Sequence, residues 1–270
     1  MNRARVAVLV FPGTNSEEET VRALQAVDLD VRLVRWSEGV AAGEGFDAYV
    51  LPGGFAYEDR IRAGAVAAHD AILGPVIAAA ERGRFVIGIC NGAQVLLEAG
   101  LVPGTAPVRR PTAAFAPNAA GGRFRSVHTH VKLAVSPQRS PLFAGLANEQ
   151  IVPAWSSHGD GRLVAHADEL GRLQTGEHIA FVYCDSSGNV GNATPNGSAL
   201  DAAGLINRDG NVLALMPHPE RDAWVYQHRD DRPDRASAAS AEAMLAPSGG
   251  IAIFTSLALA LERRSMAAGR

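Results

Sequence analysis

The chain has 270 residues, 47% of them hydrophobic, with a formal net charge of -3 and two cysteines. That length and apolar content can bury the core of one large α/β domain or of two small ones. The charge balance leaves no field suited to nucleic acid or an anionic membrane, and two cysteines cannot make a disulfide scaffold, so free thiols in a reducing, cytoplasmic setting are expected.

In chain order, "VAVLVF" from Val6 to Phe11 is a short apolar run stopped by Pro12 and Gly13, which reads as a first strand and not as a secretion signal. Asn15 with Glu18 three residues on predicts an N-cap and a crossover helix whose Val21, Leu24 and Val27 share one face. The runs "VRLVRW" from 31, "AYVLPGG" from 48 and "FVIGIC" from 85 recur with helical stretches between them. That rhythm predicts a central, mostly parallel sheet flanked by helices. From roughly 127 to 217 the strand patterns crowd together: "HVKLAV", "IVPAW", "RLVAH", "IAFVYC", "AAGLIN" and "VLALMP". Short polar connections, with "NRDG" at 207–210 as a hairpin turn, predict antiparallel strands added to the parallel half. "HRDDRPDRASAAS" from His228 reads as a solvated excursion within a surface insertion over 228–246, ahead of a last helix near 250–264. The apolar stretch "IAIFTSLALAL" at 251–261 is too short to span a bilayer. No internal repeat is present, and a single domain over 1–270 is expected.

Chemistry concentrates in "RFVIGICNGAQVLLEAG" at 84–100. A branched apolar strand runs through Gly88-Ile89-Cys90-Asn91-Gly92 into a helix, which is the form of a nucleophile elbow: glycines on either side let the backbone double back and expose the central side chain. Cys90 would face a helix N-terminus, whose partial positive charge favours a thiolate; the alternative is a small buried hydrophobe. A nucleophile needs a base. His218 follows an apolar strand in "LALMPHPERDAW", fixed between two prolines, with Glu220 two residues on to orient the imidazole; alone it reads equally as a rigid turn residue. His69, His128, His130, His166, His178 and His228 lack such partners and read as surface or structural residues, no zinc set is visible, and Cys184 reads as a core thiol.

Several segments in order, "FPGTN" at 11, "LPGGFAYEDRIRAGAVAA" at 51, "GICNGAQVLLEAGLVPG" at 88, "SSHGDGR" at 156, "PNGS" at 195 and "INRDGNVLALMPHPER" at 206, together resemble the class I, triad-type glutamine amidotransferases. Within these the chain is most similar to the glutaminase subunits of phosphoribosylformylglycinamidine synthase, from purine biosynthesis. The resemblance implies a flavodoxin-like α/β fold and a Cys90, His218, Glu220 triad that hydrolyses L-glutamine through a glutamyl thioester. It implies an oxyanion hole from the backbone of Gly54, Phe55 and Asn91, and glutamine contacts at Gln94, Ser157 and His158. It also implies docking on a large synthetase subunit, with a small third subunit. The chain carries no P-loop, so no cofactor is expected in it, and ATP and magnesium belong to the partner. Departures are Ser16 and Glu17 after Asn15, Ala56 and Glu58 in the loop beyond "PGG", and Ala93; the segment 105–129 matches only loosely. Read alone, "LPGG" is a plain strand-to-loop turn, and "SSHGDGR" a hairpin whose His158 faces solvent. A DJ-1-like hydrolase or glyoxalase and a non-catalytic regulatory subunit are the competing readings.

Overall fold

The computed structural model describes residues 3–119, 121–228 and 240–269. A nine-stranded sheet organises the chain. Strands β1 (Arg5–Val10), β2 (Asp30–Arg35), β3 (Ala48–Leu51) and β4 (Phe85–Ile89) form its first half, joined on the inner side by β11 (Val212–Leu215). The order β2-β1-β3-β4-β11 is parallel throughout. β3, β4 and β11 have every residue buried, as strands covered on both faces must. Beyond β11 the sheet turns antiparallel through β10 (Ala202–Ile206), β9 (Ile179–Cys184), β6 (Arg125–Leu133) and β7 (Ile151–His158), which closes the far edge. The expected fold class is therefore the observed one, including the hairpin at 207–210, whose Gly210 has φ +74°.

Three sequence expectations need correction. "RLVAH" forms β8 (Arg162–Ala165) but stands outside the main sheet, pairing with a strand the pattern did not show, β5 (Ala113–Ala116). The first helix, α1 (Glu17–Ala26), is capped at Ser16 and not at Asn15. The reason is tertiary: Asn15 and Ser16 both donate their backbone N–H to the Gly53 carbonyl (3.1 and 3.2 Å), which holds them in the loop and delays the first helical turn. Glu17, Glu18 and Glu19 then occupy the positive end of the helix, and the buried face is Thr20, Ala23 and Leu24, with Val21 and Val27 packed partly against it. His228, read as the start of the solvated excursion, is buried; the excursion itself, 229–239, lies outside the described residues.

The remaining helices are α2 (Leu73–Glu81), α3 (Asn91–Glu98), α4 (Ala167–Thr175), the short α5 (Ala241–Met244) and α6 (Ala252–Ala268). Among the described residues no helix is long and apolar enough to cross a membrane. Strand order reverses between β1 and β3, so a crevice opens beyond the carboxyl ends of the parallel strands, where ligands of open α/β sheets sit. The loops leaving β1 and β3 are stitched together there by a bridge between Thr14 and Gly54. Cys90 leaves β4 at the same end.

Candidate active site

Cys90 sits between β4 and α3 with φ 51° and ψ -109°, a conformation that costs a non-glycine residue on the order of 1–3 kcal/mol and persists only when its surroundings impose it. The surroundings do. Its N–H donates to the Leu215 carbonyl (2.8 Å), and its carbonyl accepts from Gln94 (3.1 Å). The flanking glycines are required by contact: a Cβ on Gly92 would lie 1.9 Å from the Leu51 carbonyl oxygen, and one on Gly88 would lie 2.5 Å from that of Gly92. α3 buries Asn91 through Leu97, so the elbow is clamped from both ends.

His218 reaches this point from β11. Its main chain exchanges two hydrogen bonds with Trp155 of β7, N–H to carbonyl at 2.8 and 3.1 Å, and Pro219 starts the tight turn that follows. The turn sets the Glu220 carboxylate 2.5 Å from His218 Nδ1. Glu220 is fully buried, and its second oxygen has no partner among the described residues, so its charge is directed at the imidazole. On the other side the ring faces Cys90: a Cβ on Gly53 would stand 2.4 Å from His218 Cε1 and 3.3 Å from Cys90 Cβ. Burial opposes charge on this ring, but Glu220 and the Cys90 sulfur outweigh it and raise His218 to about 9. The structure thus brings the three sequence-predicted residues together across more than a hundred positions.

That raised value has a consequence for stability. The folded ring binds its proton more tightly than the ordinary value of 6.5 allows, so the contribution is complete below about 6.5 and is lost as pH rises through about 9. Urea midpoints of the wild type should fall between pH 6.5 and 9 relative to those of His218→Gln; parallel curves for the two proteins would refute the coupling.

The oxyanion positions divide. Phe55 donates its N–H to the Gly13 carbonyl at 2.9 Å, so this amide is occupied within the loop and Phe55 is removed from the set. The amides of Gly54 and Asn91 have no acceptor among the described residues. Asn91 does more than offer an amide: its side chain accepts from Ala56 N–H (3.0 Å) and donates to Asp59 (3.0 Å) and to Gln94 Oε1 (2.9 Å), which ties the loop after β3 to the elbow. Tyr57, Glu58, Asp59 and Ile61 in that loop all have positive φ. Burial and the nearby Asp160 carboxylate raise Asp59 to about 6.

Gln94 donates to the Asp160 carbonyl, and the Cys90 thiol lies 3.8 Å from the Ser157 carbonyl. Gln94, Ser157 and His158 therefore line one region beside Cys90. His158, however, is 4% exposed and does not face solvent. Burial and the neighbouring His218 lower it to about 4, which keeps it neutral.

Sequence reasoning missed the supports. Asp222, fully buried, lies 2.5 Å from His128 and 2.8 Å from His228 and accepts from Ser248 (3.1 Å), which anchors the turn carrying His218. Arg221 donates to Ser16 Oγ (2.8 Å), tying the same turn to α1. "PERD" and the neighbouring "PGG" glycine offered local signals for Asp222 and Gly53; the histidine partners offered none. His178 is structural, its Nδ1–H donating to the Ile206 carbonyl at 2.9 Å, and Cys184 is a buried free thiol that burial pushes up to about 11. No group of three His, Cys, Asp or Glu side chains among the described residues is arranged to hold a metal ion.

Residues 3–255 match the family described as CobB/CobQ-like glutamine amidotransferase domain. A relative from Haloquadratum walsbyi, named phosphoribosylformylglycinamidine synthase subunit PurQ, is 42% identical over 219 residues, covering 80% of this chain and 90% of its own. One of the same name from Symbiobacterium thermophilum is also 42% identical, covering 80% and 87%. Among solved structures, a chain of the PurLQS structure from Thermotoga maritima superposes with a TM-score of 0.70 at 27% identity, over 95% of this chain and 98% of that one.

Proposed function

Since the chain belongs to the CobB/CobQ-like glutamine amidotransferases, and within them to the glutaminase subunits of phosphoribosylformylglycinamidine synthase, we propose that Cys90, His218 and Glu220 carry out its chemistry. The enzyme hydrolyses L-glutamine and supplies ammonia to a synthetase subunit of purine biosynthesis. The observation that carries the triad is the buried Glu220 to His218 contact on a ring that faces the Cys90 sulfur.

With the imidazole raised to about 9, His218 is charged at neutral pH and faces the Cys90 sulfur, which attacks in the deprotonated form that makes a thiol nucleophilic. The sulfur attacks the side-chain amide carbon of glutamine. The oxygen that becomes negative is met by the amides of Gly54 and Asn91, each such donor being worth roughly 3 kcal/mol of transition-state stabilisation. As the C–N bond breaks, the His218 proton passes to the leaving nitrogen, which departs as ammonia. A glutamyl thioester remains on Cys90. His218, now neutral, takes a proton from water and keeps it; the hydroxyl adds to the thioester, the C–S bond breaks to return the sulfur to Cys90 beside the protonated imidazole, and the new carboxylic acid loses its proton to solvent as glutamate leaves. Glu220 holds the ring in line through its contact with Nδ1. Gln94 and the backbone of Ser157 and His158 bind the substrate.

The chain functions as one amidotransferase unit, needs no cofactor of its own, and works in the cytoplasm in a complex that also holds a small third subunit. ATP and magnesium act on the synthetase. Three observations favour amide hydrolysis over a glyoxalase or a silent subunit: the matched family, the buried carboxylate behind the imidazole, and the free amides beside Cys90. The test is incubation of the complex with glutamine, acid quenching, and mass measurement of the peptide containing Cys90. A glutamyl adduct on that peptide with release of glutamate is the expected result; glutamate release without any adduct on Cys90 would remove the nucleophile assignment.

A further inference from the structure

We infer that Asn118 is a positioning residue for glutamine binding, holding the His158–Gly161 turn against the catalytic cysteine and fixing the tautomer of His158. This rests on the reading of Ser157 and His158 as substrate-binding positions. Asn118 lies in "FAPNAAGG", part of the Ala-, Pro- and Gly-rich segment to which neither the sequence pattern nor the resemblance gave a role.

Four hydrogen bonds run from this one residue to the turn. Its backbone N–H donates to the Gly159 carbonyl (2.7 Å) and its Nδ2 to the His158 carbonyl (2.8 Å). Its Oδ1 accepts from Gly161 N–H (3.1 Å) and lies 3.2 Å from His158 Nδ1. The second Nδ2 proton goes to the Arg123 carbonyl (3.0 Å), so both ends of the carboxamide are used, and the residue is 3% exposed. Asn196 holds the other end of the turn, donating to the Gly161 carbonyl (2.7 Å).

The tautomer follows from this pattern. Because Oδ1 already accepts from a backbone N–H, it is an acceptor, and a neutral His158 must therefore carry its proton on Nδ1. Nε2 is then a lone pair, and it is a buried atom with no partner among the described residues. The turn so held presents acceptors on the Cys90 side: the Ser157 carbonyl at 3.8 Å from the thiol, and the Asp160 carbonyl that receives Gln94. None of the Asn118 bonds touches β4, α3 or the Pro219–Asp222 turn, where the triad stands. Loosening the clamp therefore weakens ground-state binding and leaves the reacting groups in place.

The test uses the complex with its synthetase. Asn118→Leu removes every side-chain bond at similar volume; Asn118→Asp keeps the shape and loses the two Nδ2 bonds. Each should raise the glutamine KM at least about tenfold with kcat within about threefold, while ammonia-dependent synthesis is unchanged, a split that loss of folded protein alone does not produce. Circular dichroism identifies the folded variants, and an unchanged KM in either of them overturns the inference. Nitrogen-15 spectra of the wild-type chain test the tautomer without any substitution: at pH 7 His158 should be protonated at Nδ1 alone, and an Nε2-protonated or doubly protonated ring also overturns it. If the wild-type complex releases no glutamate at all, the functional reading fails first and these kinetics are not its cause.

Discussion

Cys90→Ala and His218→Ala should each abolish glutamine-dependent synthesis by the complex, by about a millionfold in kcat, while synthesis from added ammonium salts continues. The size follows from the geometry: without the sulfur there is no thioester, and without the imidazole there is neither a proton for the departing nitrogen nor a base for water. Each group is buried and faces the other, so neither can be replaced by bulk solvent. Glu220→Ala should lose less, on the order of ten-thousandfold, because it orients and charges the ring without exchanging atoms with substrate. The assay is formation of the amidine product with glutamine or with ammonium chloride as nitrogen source. Retention of the glutamine-dependent rate in either alanine variant refutes the triad; loss of both rates would indicate that the substitution disturbs docking or folding.

Gly53→Ala should be nearly as informative, and its effect arises from shape alone. No chemical group is lost, but the added carbon would fall 2.4 Å from His218 Cε1, 3.2 Å from Ser16 Oγ and 3.3 Å from Cys90 Cβ. The main chain at residue 53 is held by its carbonyl's two bonds, from Asn15 and Ser16, so relief of the contact falls on the imidazole. A displacement near 1 Å of a reacting group costs roughly a hundredfold in rate. The expected result is a fall in kcat of about that size with a folded protein, read by glutaminase assay together with thermal melting. A variant with undiminished kcat would show that the ring has more freedom than these contacts imply.

The same glycine illustrates what the sequence could convey. The triad was legible because each member sits in a short pattern with its own backbone restraint: two glycines around Cys90, two prolines around His218, and a carboxylate two residues on. The parallel strands were legible as runs of branched apolar residues of the right length. Gly53 is in a readable motif, yet its function depends on an imidazole 165 positions away, the difference between 218 and 53. Asn118 and β5 were invisible for a related reason, since "FAPN" carries no periodicity and gains meaning only from partners near 160. The helix cap moved from Asn15 to Ser16 because a carbonyl from another loop competed for its amides. Phe55 left the oxyanion set for the same kind of reason, its N–H being engaged by Gly13.

The reciprocal pair between His218 and Trp155 ties the catalytic base to β7, which closes one margin of the sheet and has a neighbour on a single side. The base is thereby held from two directions, by β11 in the parallel interior and by β7 at the margin. A shift of that strand would reach the imidazole through the Trp155 main chain and the thiol through the Ser157 carbonyl 3.8 Å away, so both halves of the reacting pair share one marginal support.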